Sequence, residues 1–297
     1  VVRIFGFLGC ACLVAIGATA AAEAPEPSGA PPAIASRLDT SFPNAQAVVK
    51  SAYVPGLDEG FVPQGLATFR GDFLVSGYMS HAEPFCRIYW IRITDLTPAE
   101  HFDLPTPCSH GAGVAFSPKG EIVVADLDRL YVWKAGKDSI RPASSIEEVW
   151  LTGGLRGTFL SVNPDGLMMG SFYKKRNVTS GQIFPWDVLD NPELSPDEMI
   201  GSVDFPPRTQ GAALVDGDAY WSSSQGKPNI LSHTDGDGSV IAQFPFLRGL
   251  QGVVRGEAGT IWTISESGAY PYTNRLDIYP AIMQIDPQKL TGAFANK

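Results

Sequence analysis

Short apolar runs closed by Gly, Asp, Asn or Pro recur from about residue 46 to residue 287, and they come in phrases. "PQGLATFRGDFLVSGY" at 63 to 78, "RTQGAALVDGDAYWSSSQG" at 208 to 226 and "LQGVVRGEAGTIWTISE" at 250 to 266 share one layout. Each sets a polar residue before a glycine, then an apolar run, a turn and a second apolar run, which is the grammar of a β-hairpin. Anchoring on the polar-Gly step gives Gln64-Gly65, His110-Gly111, Arg156-Gly157, Gln210-Gly211 and Gln251-Gly252, spaced by 46, 46, 54 and 41 residues. Such a period matches one four-stranded propeller blade.

Third and fourth runs follow the hairpins. They read "CRIYWIRI" and "AEHFDL" in the first unit, "LYVWKA" and "EEVWLT" in the second, and "NILSHT" and "VIAQFPF" in the fourth. The fifth unit has "AIMQID", but only "TGAFANK" follows, so "AQAVVKSAYVPG" at 45 to 56 is expected to supply the missing strand. The predicted fold is all-β: a single five-bladed propeller closed by an N-terminal strand, with no sheet edge left open. A sixth blade would need roughly another 40 residues. The long third interval does not provide them, because "PWDVLDNPELSPDEM" reads as a surface insertion. Trp221 and Trp262, eleven residues after Gln210 and Gln251, are expected to fill space between blades.

The phrases "VPQGLA", "SHGAGVAF", "GTFLSVNPDG", "TQGAALVDGDAYW" and "ISESGA" resemble those of exported bacterial propellers without an assigned biochemical role. More weakly, the "TQG" hairpins resemble those of the glutamine cyclotransferase propellers. That family is five-bladed, forms pyroglutamate at peptide N-termini, and typically opens a strand with "TQGL" or "TEGL" and ends the next near "YESTG". The first unit here has "PQGLATF" and "LVSGYMS", without the Glu.

Composition narrows the partners. With 44% hydrophobic residues in 297, one large core can be buried. The net charge of −9 and the absence of a basic run with interleaved aromatics exclude nucleic acid as a partner. Residues 1 to 22 read as an export signal, with Arg3, an apolar run from Ile4 to Ile16, and small residues at Ala18, Ala20 and Ala22. A membrane anchor, or lipidation at Cys10 or Cys12, are the alternatives. Residues 23 to 44, Pro- and Ala-rich, read as a disordered leader, and 45 to 297 as the propeller domain. The expectation is a periplasmic or secreted monomer with no integral membrane span after cleavage.

Export leaves Cys86 and Cys108, which either pair or remain as buried thiols. Cys86 opens the third strand of the first unit and Cys108 lies in the link to His110. Both belong on one face of the ring, which favours the bridge.

Inner strands of a propeller begin on the face where second strands end. Gln64, His110, Arg156, Gln210 and Gln251 are therefore expected around one mouth of the central channel, with Tyr78, Asp126, Tyr173, Gln225 and Glu266 beside them. The glutamines either contact a ligand or satisfy backbone groups and water at the axis. His110 and Arg156 break the glutamine pattern and are the stronger ligand contacts, for a negative or carbonyl group. Glu266 and Asp126 are the candidate acid/base residues. Asp126, Glu266, His110 and His81 are residue types that hold a cation, but no ligand spacing supports a site, so no metal and no cofactor is assigned. "DGDGS" at 235 to 239 reads as a turn, no GxSxG elbow occurs, and Asn177-Val178-Thr179 reads as an exposed loop. The resulting expectation is binding of a small polar or peptide ligand at the mouth. The alternatives are a cyclotransferase- or lactonase-like enzyme using a mouth carboxylate, with or without a metal, and a protein-interaction platform.

Overall fold

A computed structural model describes residues 23–163, 165–170, 180–224, 229–274 and 277–292. The segment at 1 to 22, expected as an export signal, and the triplet at 177 to 179 lie outside the described residues.

The chain first lays down β1 (Val48–Tyr53) and then five sheets in succession. Blade 1 is β2 (Phe61–Phe69), β3 (Asp72–Met79), β4 (Phe85–Ile91) and β5 (Pro98–Asp103), and blade 2 is β6 (Gly113–Phe116), β7 (Glu121–Asp126), β8 (Arg129–Lys134) and β9 (Glu147–Leu151). Blade 3 has β10 (Phe159–Asn163), β11 (Gly166–Gly170) and β12 (Ser180–Phe184). After β13 (Glu193–Leu194), it is completed by β14 (Gly201–Asp204). Blade 4 is β15 (Thr209–Val215), β16 (Asp218–Ser223), β17 (Asn229–Thr234) and β18 (Val240–Phe246). Blade 5 takes β19 (Leu250–Arg255), β20 (Ile261–Ser265) and β21 (Ala281–Ile285), and β1 pairs antiparallel with β21 as its outermost strand. The fold is the expected five-bladed propeller, closed by the N-terminal strand; the expectation that no sheet edge stays open does not hold, because among the described residues β5, β14 and β18 each pair on one side only. Trp221 and Trp262 are buried, the latter packed between blades 5 and 1 against Phe73 at 4.9 Å between ring centroids.

Neighbouring inner strands meet closely because glycine stands at the contact. A Cβ on Gly65 would lie 2.7 Å from Val114 N, one on Gly113 2.4 Å from Leu160 N, one on Gly211 2.7 Å from Gly252 Cα, and one on Gly252 2.3 Å from Leu66 N. These four glycines form a collar around the axis. Hydroxyls clasp the seams: Ser76 Oγ donates to Gly111 O at 2.9 Å, Ser161 Oγ to Ala212 O at 2.9 Å and Ser222 Oγ to Gln251 O at 2.6 Å. Each joins one blade to the next.

Two segments behave differently from their composition. The insertion at 185 to 199 buries Val188, Leu189 and Leu194, and its β13 adds in parallel to β9, giving blade 2 a fifth strand. An exposed edge is covered in this way. The leader, expected to lack the apolar content to fold, lies against blade 5. Ser28 bridges Ala52 of β1, accepting from Tyr53 N at 3.0 Å and donating to Ser51 O at 3.0 Å. Ala24 and Phe42 are buried in the blade 5 cluster, Phe42 lying 5.1 Å from the Tyr279 ring. Two well-placed apolar residues and an open β1 edge suffice where mean composition predicts disorder.

Candidate functional site

In three of the five inner strands the glutamine of the Gln-Gly step sits at a β-bulge. Pairing jumps from Pro63 to Gly65 in β2 and from Thr209 to Gly211 in β15, leaving Gln64 and Gln210 as extra residues; in β19 it jumps from Leu250 to Val253, across Gln251. A bulge re-aims its side chain and strengthens the local twist. The glycine after it is the collar residue. Blade 2 lacks the bulge: its collar glycine is Gly113, and His110 precedes the strand in the link from blade 1. Arg156 likewise precedes β10, and Gly157 forms a bridge to Leu127 instead.

Four predicted residues come together at the mouth. Gln64 Nε2 donates to Glu266 Oε2 at 3.1 Å, joining the start of blade 1 to the end of β20 in blade 5. Both are nearly buried, at 5% and 6% exposure. Tyr78, at the end of β3, hydrogen-bonds Tyr272 and feels the Glu266 charge. Its ring lies 5.3 Å from that of His110. Burial pushes the Tyr78 hydroxyl above its ordinary range, against the Tyr272 hydrogen bond and with the help of Glu266. Burial also holds the His110 imidazole below its ordinary range, with the Asp126 charge opposing. His110 is therefore neutral near pH 7, with one nitrogen to donate and one to accept.

Asp126, the last residue of β7, is buried. Its carboxylate accepts from Ser109 N at 3.0 Å, His110 N at 2.7 Å and Gly111 N at 3.3 Å, anchoring the loop that presents His110. The Cys86–Cys108 disulfide, with Cα atoms 5.4 Å apart, fixes the same loop to β4. Among the described residues, the group of metal-ligand types near enough to share an ion is Cys86, Cys108 and Asp126, and its two sulfurs are bonded to each other. Asp126, Glu266, His110 and His81 do not converge, and His81 is exposed in the β3–β4 loop.

The remaining predicted residues are dispersed. Gln251 is buried, Gln210 is half-buried and Arg156 is exposed. Tyr173 and Gln225 lie outside the described residues. Tyr272 is the residue that the sequence did not single out. It stands in the 266 to 280 connection, and its spacing from the hairpin repeat carries no signal, although "ESGAYPY" offers an aromatic run directly after Glu266.

No family model and no curated relative matches the chain. Solved structures do. Myxococcus xanthus glutaminyl cyclase is 12% identical, the match covering 80% of this chain and 94% of that one with a TM-score of 0.53. The PQQ-bound aldose sugar dehydrogenase of Streptomyces coelicolor is 14% identical over 76% of this chain and 94% of its own, with a TM-score of 0.48. At such identities the likeness is one of fold.

Proposed function

We propose that the channel mouth binds a small polar ligand carrying a primary amine beside a carbonyl, as the N-terminal end of a peptide does. The observation that carries this reading is the nearly buried Glu266 carboxylate, held by Gln64 at the mouth. An ammonium group reaching Glu266 gains a charge-assisted hydrogen bond in a partly desolvated place. Tyr78 and neutral His110 supply donors for the adjacent carbonyl, and exposed Arg156 adds a positive rim for an anionic group. The buried disulfide supports a life outside the reducing cytoplasm, in the periplasm or secreted.

The position of Glu266 favours one enzymatic reading, cyclisation of an N-terminal glutamine. The α-amine, once its ammonium form has released a proton to solvent, would attack the side-chain carboxamide carbon, forming the ring C–N bond. Glu266 would take the proton from the attacking nitrogen and pass it to the amide nitrogen, which departs as ammonia. Asp126 is committed to three backbone groups and takes no part in this scheme.

Calorimetric titration with short peptides bearing free and acetylated N-termini tests the binding. A free amine should bind at least about tenfold more tightly, the range of one hydrogen bond to a charged group. Equal affinity for both forms, or no saturation with either, rejects the amine reading. Loss of ammonia from Gln-initiated peptides, followed by mass spectrometry, separates an enzyme from a binding protein.

A further inference from the structure

The inner strands that crowd the mouth leave the other end of the axis open. Residues of all five strands, among them Leu66, Val114, Ala212, Ala213 and Val254, bound a cavity of about 320 Å³. Its lining is mainly Ala, Val and Leu, at strand positions beyond the glycine collar. Ser161 also lines it, but Ser161 Oγ gives its hydrogen to the Ala212 carbonyl at 2.9 Å. Side-chain polarity is thereby concentrated in Thr68 and Arg255, near the strand ends. A space of this size with apolar walls suits a hydrocarbon better than water, which needs several polar partners.

Arg255 ends β19 and lies 2.6 Å from Asp216 Oδ1, in the turn after β15. Both side chains are more than half exposed, at 54% and 68%, so the pair is worth little and yields readily to a competing anion. We propose that the far end of the channel binds a medium-length acyl carboxylate, its chain in the cavity and its head on Arg255. At roughly the 30 Å³ of one water per methylene, the cavity takes a chain of about ten carbons. This site stands at the opposite end of the inner strands from Gln64 and Glu266 and is independent of what the mouth binds.

Calorimetry with hexanoate, octanoate, decanoate and octan-1-ol tests it. Octanoate should bind with one-to-one saturation, about fourfold more weakly for each methylene removed. Arg255→Gln should weaken octanoate about tenfold and leave octan-1-ol unchanged. Asp216→Asn, which retains a residue type tolerant of the left-handed backbone there, should tighten octanoate alone. Ala213→Phe should abolish binding of both. Because a Phe crowds a packed ring, Thr68→Trp at the exposed lip provides an independent block. Absence of saturable binding by octanoate and decanoate overturns the proposal, and so does binding indifferent to Arg255 and to both blocking variants.

Discussion

The Gln64 amide reaches the Glu266 carboxylate across the seam where the ring closes, at 3.1 Å and over a separation of 202 residues. The candidate site is thus built on the joint between the first and last blades. Its geometry depends on the first and last blades meeting.

Replacing Glu266 by Gln should cost at least tenfold in affinity for a free-amine peptide while the fold stays intact, since an amide can still meet Gln64. Gln64→Ala should do more to stability, about 1–3 kcal/mol by urea unfolding, because it removes a donor from a nearly buried carboxylate.

Deleting residues 48 to 53 should move the open edge of blade 5 inward to β21 and uncover its buried Ala281, Met283 and Ile285. The expected outcome is aggregating protein in size-exclusion chromatography. Soluble monomer with an unchanged melting temperature would show that β1 is dispensable.

The collar predicts a contrast between glycines. Gly113→Ala should destabilise by about 1–3 kcal/mol, because the added methyl meets the backbone of β10 at 2.4 Å. Gly201→Ala, where the nearest atom is Ile183 Cδ1 at 3.8 Å, should be close to neutral in the same denaturation assay.

This contrast explains what could be read from the chain. Hairpin phrases and turn residues were enough for the blades and for the missing fifth-blade strand, because strand period and turn chemistry are local. Register at the axis is not local. A polar-Gly step looks the same whether its glycine belongs to the collar, as Gly65 does, adopts a left-handed turn, as Gly111 does with φ of 56°, or makes a lateral bridge, as Gly157 does. His110 and Arg156 were therefore aligned with glutamines whose place on the strand they do not share. The leader was misread for a related reason: whether Ala24 and Phe42 find a surface depends on β1 being an edge, which is a property of the closed ring.

A pH dependence should trace to His110. Unfolded, its imidazole takes a proton near pH 6.5. Folded, burial delays this to lower pH. Between those two points the unfolded chain binds more protons, so stability is fully present above about pH 6.5 and is lost as pH falls through the interval. His110→Gln should flatten that part of a melting-temperature profile measured from pH 7.5 to pH 5.

The disulfide closes a loop of 22 residues. Its removal as Cys86→Ala with Cys108→Ala should cost about 3 kcal/mol in the chain-entropy model. The loss should be accompanied by weaker ligand binding, since the loop presenting His110 then keeps only hydrogen bonds, to Asp126, Ser76 and the backbone of β4. Retained affinity alongside reduced stability would confine the bridge to a purely structural role.

Pairing of β1 with β21 also dictates an order of events during biogenesis. A chain emerging from its N-terminus presents β1 first, yet β1 finds its sheet only after residue 285 has appeared. Until then four blades stand as an open arc with uncovered apolar faces at both ends, a long-range topology that folds slowly and needs protection from aggregation. Gln64 and Glu266 stay apart throughout that interval, so the mouth acquires its chemistry in the same step that completes the protein.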